Sequence, residues 1–232
     1  MTRLIHKRLA HIHQQICEAE AEAGRQTGSV DLLAVSKTKP PAAIAIAYQA
    51  GQRHFGENYL QEALVKQQAL GAFDISWHFI GPIQSNKTRL IANHFAWVHS
   101  VDSLKIAKRL SDQRHPSLPP LNICLQVNIS DEHTKSGIGL LDLPSICAEI
   151  YNLPKLNLRG VMAIPAPEDD YECQRAPYHA LYNAVKALNN PQLDTFSFGM
   201  SADLRAAIAE GSTIVRIGTA LFGERGGNPG KF

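Results

Sequence analysis

Eight short β-rich runs alternate with helical stretches along this chain, and that alternation restricts the fold more than any other feature. The runs fall at residues 32–35, 53–55, 77–80, 97–99, 122–128, 158–164, 195–198 and 213–217. Helical segments are predicted between them over 41–50, 57–70, 86–93, 103–110, 143–151, 171–188 and 202–210, with Gly51 and Gly71 as stops for the first two. Strand–helix alternation with short linkers produces parallel strands joined by right-handed crossovers. Eight such units in 232 residues predict a single (β/α)8 TIM-type barrel, slightly below the ~250 residues usual for that fold. The rival is an open doubly wound sheet, but no GxGxxG follows any of the runs. With no composition break, residues 1–225 are expected to form one domain, and 226–232, with Gly226, Gly227, Pro229 and Gly230, a loose tail.

An extra helix precedes the first strand. Ile5, Leu9, Ile12, Ile16, Ala19 and Ala23 recur at steps of four and three, which places them on one helical face, and Thr2 is positioned to cap its start. The basic beginning of this segment suggests a transit peptide, yet Glu18, Glu20 and Glu22 are wrong for one. Twenty-three basic residues against 21 acidic leave a formal charge of +2, far too little for a dedicated nucleic-acid binder. No apolar run is long enough to span a bilayer. Cys17, Cys124, Cys147 and Cys173 form no CxxC pair, so the expectation is four mostly buried thiols in a reducing, cytoplasmic compartment. His11 and His13 point apart on either a helix or a strand and make a poor metal site.

In a barrel, chemistry collects where strands end, and this sequence places Lys37, Glu57, Asn58, His78, Asn128, Met162, Ser197 and Arg216 at those junctions. A lysine desolvated at the barrel mouth has a lowered pKa and a free amine, as a Schiff-base lysine requires. The plain alternative for Lys37 is a side chain snorkelling into water, and Lys39 reads as a solvated loop residue. In FSFGMSADLRAAI, Gly199 permits a tight turn and Ser201 occupies an N-cap position; Gly218 and Thr219 begin a second turn into a helix. Free amides and helix dipoles at such turns favour an anion, and barrels commonly hold phosphate after strands seven and eight. Two such turns together with a strand-one lysine point to a phosphorylated carbonyl ligand. Arg216 either faces that ligand or pairs with a carboxylate such as Glu57. Lys135, Ser136 and Gly137 suit a mouth loop or a turn, and the 84–87 segment a helix start within reach of the ligand.

The blocks AVSKTKP, RHFGENYLQEALVK, WHFIGPIQSNK, HSVDS, KSGI, RGVMAIP and FGMSADLRAAIAEGSTIVRIGTALFGER, in that order, resemble pyridoxal phosphate homeostasis proteins, single-domain relatives of the alanine racemase barrel. The resemblance covers nearly the whole chain. It implies that Lys37 forms the internal aldimine with pyridoxal 5′-phosphate, and that Ser201, Gly218, Thr219 and the amide of Met200 hold the phosphate. It implies too that Arg216 faces the pyridine nitrogen, and that Asn58, His78, Met162 and Ser197 surround the ring. Val161, Phe196 and Phe198 depart from the commoner pattern without removing a contact group.

Two functions of different class follow from that resemblance. One is a carrier that buffers or delivers the cofactor to enzymes requiring it; the other is an amino-acid racemase. An arginine stays protonated, leaving the pyridine nitrogen unprotonated and the ring a weaker electron sink. Two-base racemisation also needs a second acid/base, which alanine racemase draws from a further domain; the chain is expected to lack that domain. The carrier is therefore the expectation, as a monomer with transient enzyme partners and no nucleic-acid or membrane partner. A phosphosugar-binding barrel without this cofactor is the third reading.

Overall fold

The amphipathic N-terminal face is where the fold is easiest to rationalise. In the computed structural model, which describes residues 1–130 and 136–224, helix α1 (Thr2–Glu22) buries Ile5, Leu9, Ile12, Ile16 and Ala19, and Ala23 just beyond its end packs against the same core. Each of the large aliphatics contributes roughly 1.5–3 kcal/mol by leaving water. Met1, not Thr2, is the N-cap, and it makes no side-chain cap bond. Glu20 is buried at the far end of α1, where its carboxylate accepts from the amides of Gly28 and Val30 and from the Ser29 hydroxyl. Those bonds aim the chain into the first strand.

Eight parallel strands then close a barrel in sequential order: β1 (Asp31–Val35), β2 (His54–Glu57), β3 (Ser76–Phe79), β4 (Trp97–Val101), β5 (Leu121–Gln126), β6 (Leu156–Met162), β7 (Thr195–Ser197) and β8 (Ile214–Ile217). β1 closes on β8 with Leu33 opposite Arg216. The crossovers are α2 (Pro41–Gln49), α3 (Leu60–Ala69), α4 (Thr88–His94), α5 (Leu104–Gln113), α6 (Leu143–Ile150), α7 (Tyr171–Ala187) and α8 (Leu204–Ala209), with a short α9 (Thr219–Phe222) after β8. Helix α1 packs beside α2, α8 and α9, across the seam where the barrel closes.

Three of the boundaries that differ from the sequence expectation bear on the site. Residue 57 was expected to start a helix, but Glu57 ends strand β2 and is fully buried; α3 begins at Leu60. Helix α8 starts at Leu204 with Asp203 as its N-cap, so Ser201 lies in the preceding turn and is exposed. The 84–87 segment is a turn before α4 in which the Ser85 carbonyl accepts from Thr88 and Arg109. Among the cysteines, only Cys124 and Cys147 are buried, and burial pushes their thiols up to about 12 and about 11; Cys17 and Cys173 are exposed. No helix among the described residues is long and apolar enough to cross a membrane. The tail over 226–232, Arg225 and Lys135 lie outside the described residues.

Candidate functional site

The barrel mouth holds two differently built clusters on either side of the β1–β8 seam. On one side Lys37 follows β1 in a half-buried turn. The next residue, Thr38, adopts φ +64°, a left-handed conformation that a β-branched residue enters only when its surroundings compel it. Here they do: the Thr38 amide donates to Glu62 Oε1 at 2.6 Å and the Ser36 carbonyl accepts from Lys66 Nζ at 2.7 Å. Lys66, itself buried, also bonds Glu57 Oε1 at 2.8 Å and Glu62, while the Ser36 hydroxyl donates to Glu57 at 2.6 Å. Burial pushes the Glu57 carboxyl up, against the Lys66 ammonium that pulls it down. Lys39 is not a solvated loop residue; its ammonium donates to the carbonyls of Gly223 and Glu224 at 2.8 and 2.7 Å and so ties the β1 turn to the end of α9.

On the other side Arg216, from β8, is buried in the barrel. Its Nη1 donates to the carbonyl and to the hydroxyl of Ser197, the latter at 2.9 Å, and its Nη2 to the Ala163 carbonyl at 3.0 Å. Glu57 is therefore not its partner. Ser197 and Met162 are sealed in the core beside it. His78 is also sealed, at 1% exposure, with both ring nitrogens engaged by His54 and His99. It supports the layer beneath the mouth and presents no free nitrogen to it.

The two turns after β7 and β8 lie side by side. Gly199 has φ +83°, and an added Cβ would meet the Ala207 Cβ at 2.6 Å, so only glycine makes this corner. Gly218 is close-packed against β1, where a Cβ would stand 3.1 Å from the Val35 carbonyl oxygen. The Met200 amide, expected for phosphate, donates instead to Asp203 Oδ1 at 2.6 Å, because that carboxylate is anchored by Tyr178 at 2.6 Å. The hydroxyls of Ser201 and Thr219 and the amides of Thr219 and Ala220 are what these turns present, since the next two amides of α9, of Leu221 and Phe222, already donate to the Gly218 carbonyl. A groove of about 450 Å³ runs outward from Ser201, Ile217 and Ala220 between α1 and α7.

Asn58 follows β2 beside the Lys37 turn. Among the described residues, two buried oxygens at this strand end, Asn58 Oδ1 and Glu57 Oε2, have no hydrogen-bond partner. A donor from a ligand or an ordered water would satisfy them. Sequence reasoning missed Glu62, Lys66, His54 and His99. The first two carried a legible signal, an acid–base pair four residues apart on one helix, and the histidines one of their own, one imidazole in each of three consecutive strand runs.

Barrel and mouth together define the class. The model of the alanine racemase N-terminal domain family matches residues 8–226. The chain is 58% identical over 221 residues to the pyridoxal phosphate homeostasis protein of Pseudomonas aeruginosa, covering 95% of this chain and 96% of that protein. It is 54% identical over 222 residues to the protein of that name from Escherichia coli, covering 94% and 95%. PipY of Synechococcus elongatus, solved with PLP bound, superposes with a TM-score of 0.82 at 40% identity, covering 94% of this chain and all of that one. The chain belongs to the pyridoxal phosphate homeostasis protein family.

Proposed function

We propose that this chain binds pyridoxal 5′-phosphate at the barrel mouth, covalently through Lys37, and buffers or delivers it within the cell without substantial amino-acid turnover. The observation that carries the reading is the pinned Lys37 turn: buried charges hold a lysine in a strained loop, directly across the barrel seam from two anion-ready turns. The PLP-bound relative at 40% identity supports the same reading.

When bound, the cofactor supplies an aldehyde for covalent capture and a pyridine ring that draws electron density. Lys37 Nζ is the amine for that aldehyde. Ser201, Thr219 and the Gly218–Thr219 backbone hold the phosphate, and the Met200 amide joins them only if Asp203 releases it. Asn58 offers its unpartnered oxygen to a donor on the ring. Met162 and Ser197 back the pocket, and Arg216 faces the ring nitrogen as a permanent donor, which keeps that nitrogen unprotonated and weakens the ring as an electron sink. That weakness favours a carrier over a racemase. The free thiols suit a reducing cytoplasm, and we place the protein there as a monomer that meets cofactor-requiring enzymes transiently.

The test loads the protein with pyridoxal phosphate, reduces it with borohydride and locates the adduct by peptide mass spectrometry. The adduct falls on Lys37, and Lys37→Ala abolishes it together with the yellow colour; an adduct found only elsewhere overturns the assignment. The same loaded protein incubated with L-amino acids in deuterated water incorporates α-deuterium slowly. Turnover near ~10 s⁻¹, an ordinary enzyme's rate, would instead establish a racemase.

A further inference from the structure

A column of imidazoles crosses the barrel beneath the mouth. His54 Nδ1 lies 3.0 Å from His78 Nε2, His78 Nδ1 lies 2.9 Å from His99 Nε2, and His99 Nδ1 lies 2.8 Å from the Ser197 hydroxyl. That hydroxyl is 2.9 Å from Arg216 Nη1. His99 on β4 reaching Ser197 on β7 means the chain of bonds passes through the barrel interior, since those strands are not neighbours. The column starts at half-buried His54, with Ser76 at 3.3 Å from His78 Nε2 and the Trp97 indole stacked on the His78 ring, and it ends at the buried guanidinium.

Donor counting and the cation's field together order the protons. A guanidinium only donates, so the Ser197 oxygen accepts from Arg216; of the two ways it can then meet His99 Nδ1, donating its hydrogen is the one that turns an imidazole lone pair, and not an N–H, toward the cation. His99 therefore carries its proton on Nε2 and gives it to His78 Nδ1. By the same step His78 carries its proton on Nε2 and gives it to His54 Nδ1. Each ring turns its lone pair toward Arg216 and its N–H away, so the three dipoles present their negative ends to a buried cation whose hydrogen bonds all go to neutral oxygens.

We propose that His99, backed by His78 and His54, is a positioning residue for Arg216: a tautomer-ordered column of imidazoles that orients Ser197 and through it holds the guanidinium in place and charged. Its bearing on the cofactor rests on the reading that Arg216 faces the pyridine ring, whereas the tautomer order is a property of the ligand-free protein. Burial, with Arg216 and His54 as like charges, pulls the His99 imidazole down to about 3, and burial with its two histidine neighbours pulls His78 well below the ordinary value. Both rings are thus neutral at pH 7, as the column needs. The other groups acting on Arg216 are Tyr178 on α7, Asp203 before α8 and Cys124 on β5, and the only carboxylate among them, Asp203, is bonded by Tyr178.

The test has two arms. In ligand-free protein, long-range ¹⁵N–¹H correlation spectra read each tautomer directly. His54, His78 and His99 each show a protonated Nε2 and a bare Nδ1 at pH 7, and Arg216→Met abolishes that uniform order and raises the His99 titration midpoint by about one unit or more. A protonated Nδ1 on His99 in the unsubstituted protein overturns the proposal. In the second arm, Asn at position 99 keeps a polar atom at the Nδ1 place, Gln keeps one only at the Nε2 place, and Phe keeps neither. His99→Gln and His99→Phe lose about tenfold in pyridoxal phosphate affinity and alter the pH profile of the bound cofactor's visible absorption, while His99→Asn recovers most of both. Equal behaviour of all three folded variants would mean that the histidine only fills space. If pyridoxal phosphate fails to bind even the unsubstituted protein while the tautomers stand, the cofactor reading falls and the column does not.

Discussion

On the β1–β2 side of the mouth a buried ammonium, Lys66, meets two carboxylates, whereas on the β7–β8 side a buried guanidinium, Arg216, is held by carbonyls, a hydroxyl and a file of neutral rings. The first arrangement answers the cation with ion pairs, and it serves a loop: Lys66 and Glu62 grip the backbone on both sides of Lys37 and compel the left-handed Thr38. The second leaves the charge undiminished and spreads its stabilisation over dipoles. A local ion pair suits a turn that presents a reactive amine. A charge held by dipoles suits a fixed cation that acts on a ligand's ring.

The comparison breaks most severely at Lys66. Replacing it by Met leaves the Glu57 carboxylate buried and unpaired, an effect of about 3–5 kcal/mol that urea unfolding reads directly. A companion Glu57→Gln change then restores part of the loss, because no unpaired charge remains. A loss below ~1 kcal/mol from Lys66→Met alone would show that the pair does not sustain the turn.

Acid separates the two sides next. His78 and His99 have folded-state pKa values below the ordinary 6.5, so between pH ~6.5 and ~3 the unfolded chain binds more protons than the folded one. Their contribution is whole above that window and is lost as pH falls through it, by a few kcal/mol in all. Thermal unfolding followed from pH 7 to 4 shows a steep decline, and His99→Asn flattens it. An unchanged slope would mean that the buried imidazoles do not set the acid limit.

The smallest effect is at the phosphate turns. A charge-assisted hydrogen bond is worth roughly 1.5–3 kcal/mol, so Ser201→Ala weakens pyridoxal phosphate binding by about ten- to a hundredfold in a fluorescence titration. Pyridoxal lacking the phosphate loses far more. Equal affinity for the two forms would remove these turns from the site.

The periodicities of the chain determined the barrel and the strand-end residues at its mouth. Alternating β-rich and helical runs leave few topologies, and the α1 stripe of Ile5, Leu9, Ile12 and Ile16 is a covalent fact about spacing that any packed state must respect. Lys37, Arg216 and the Gly199 and Gly218 turns are legible for the same reason, since strand ends in a barrel converge on one face. What only the tertiary structure decided is which partner each charge takes. Glu57 and Arg216 are 159 positions apart and both near the mouth, yet Glu57 pairs with Lys66 on α3, while Arg216 finds Ser197 on the neighbouring strand and, through it, the histidines across the barrel. The Met200 amide, free on a local reading, is taken by Asp203 because Tyr178 holds that carboxylate from another helix. Hydrogen bonds act over three ångströms in space and are indifferent to distance along the chain. A one-dimensional pattern can therefore bring polar groups to the same end of a barrel, but only closure of the barrel selects among them.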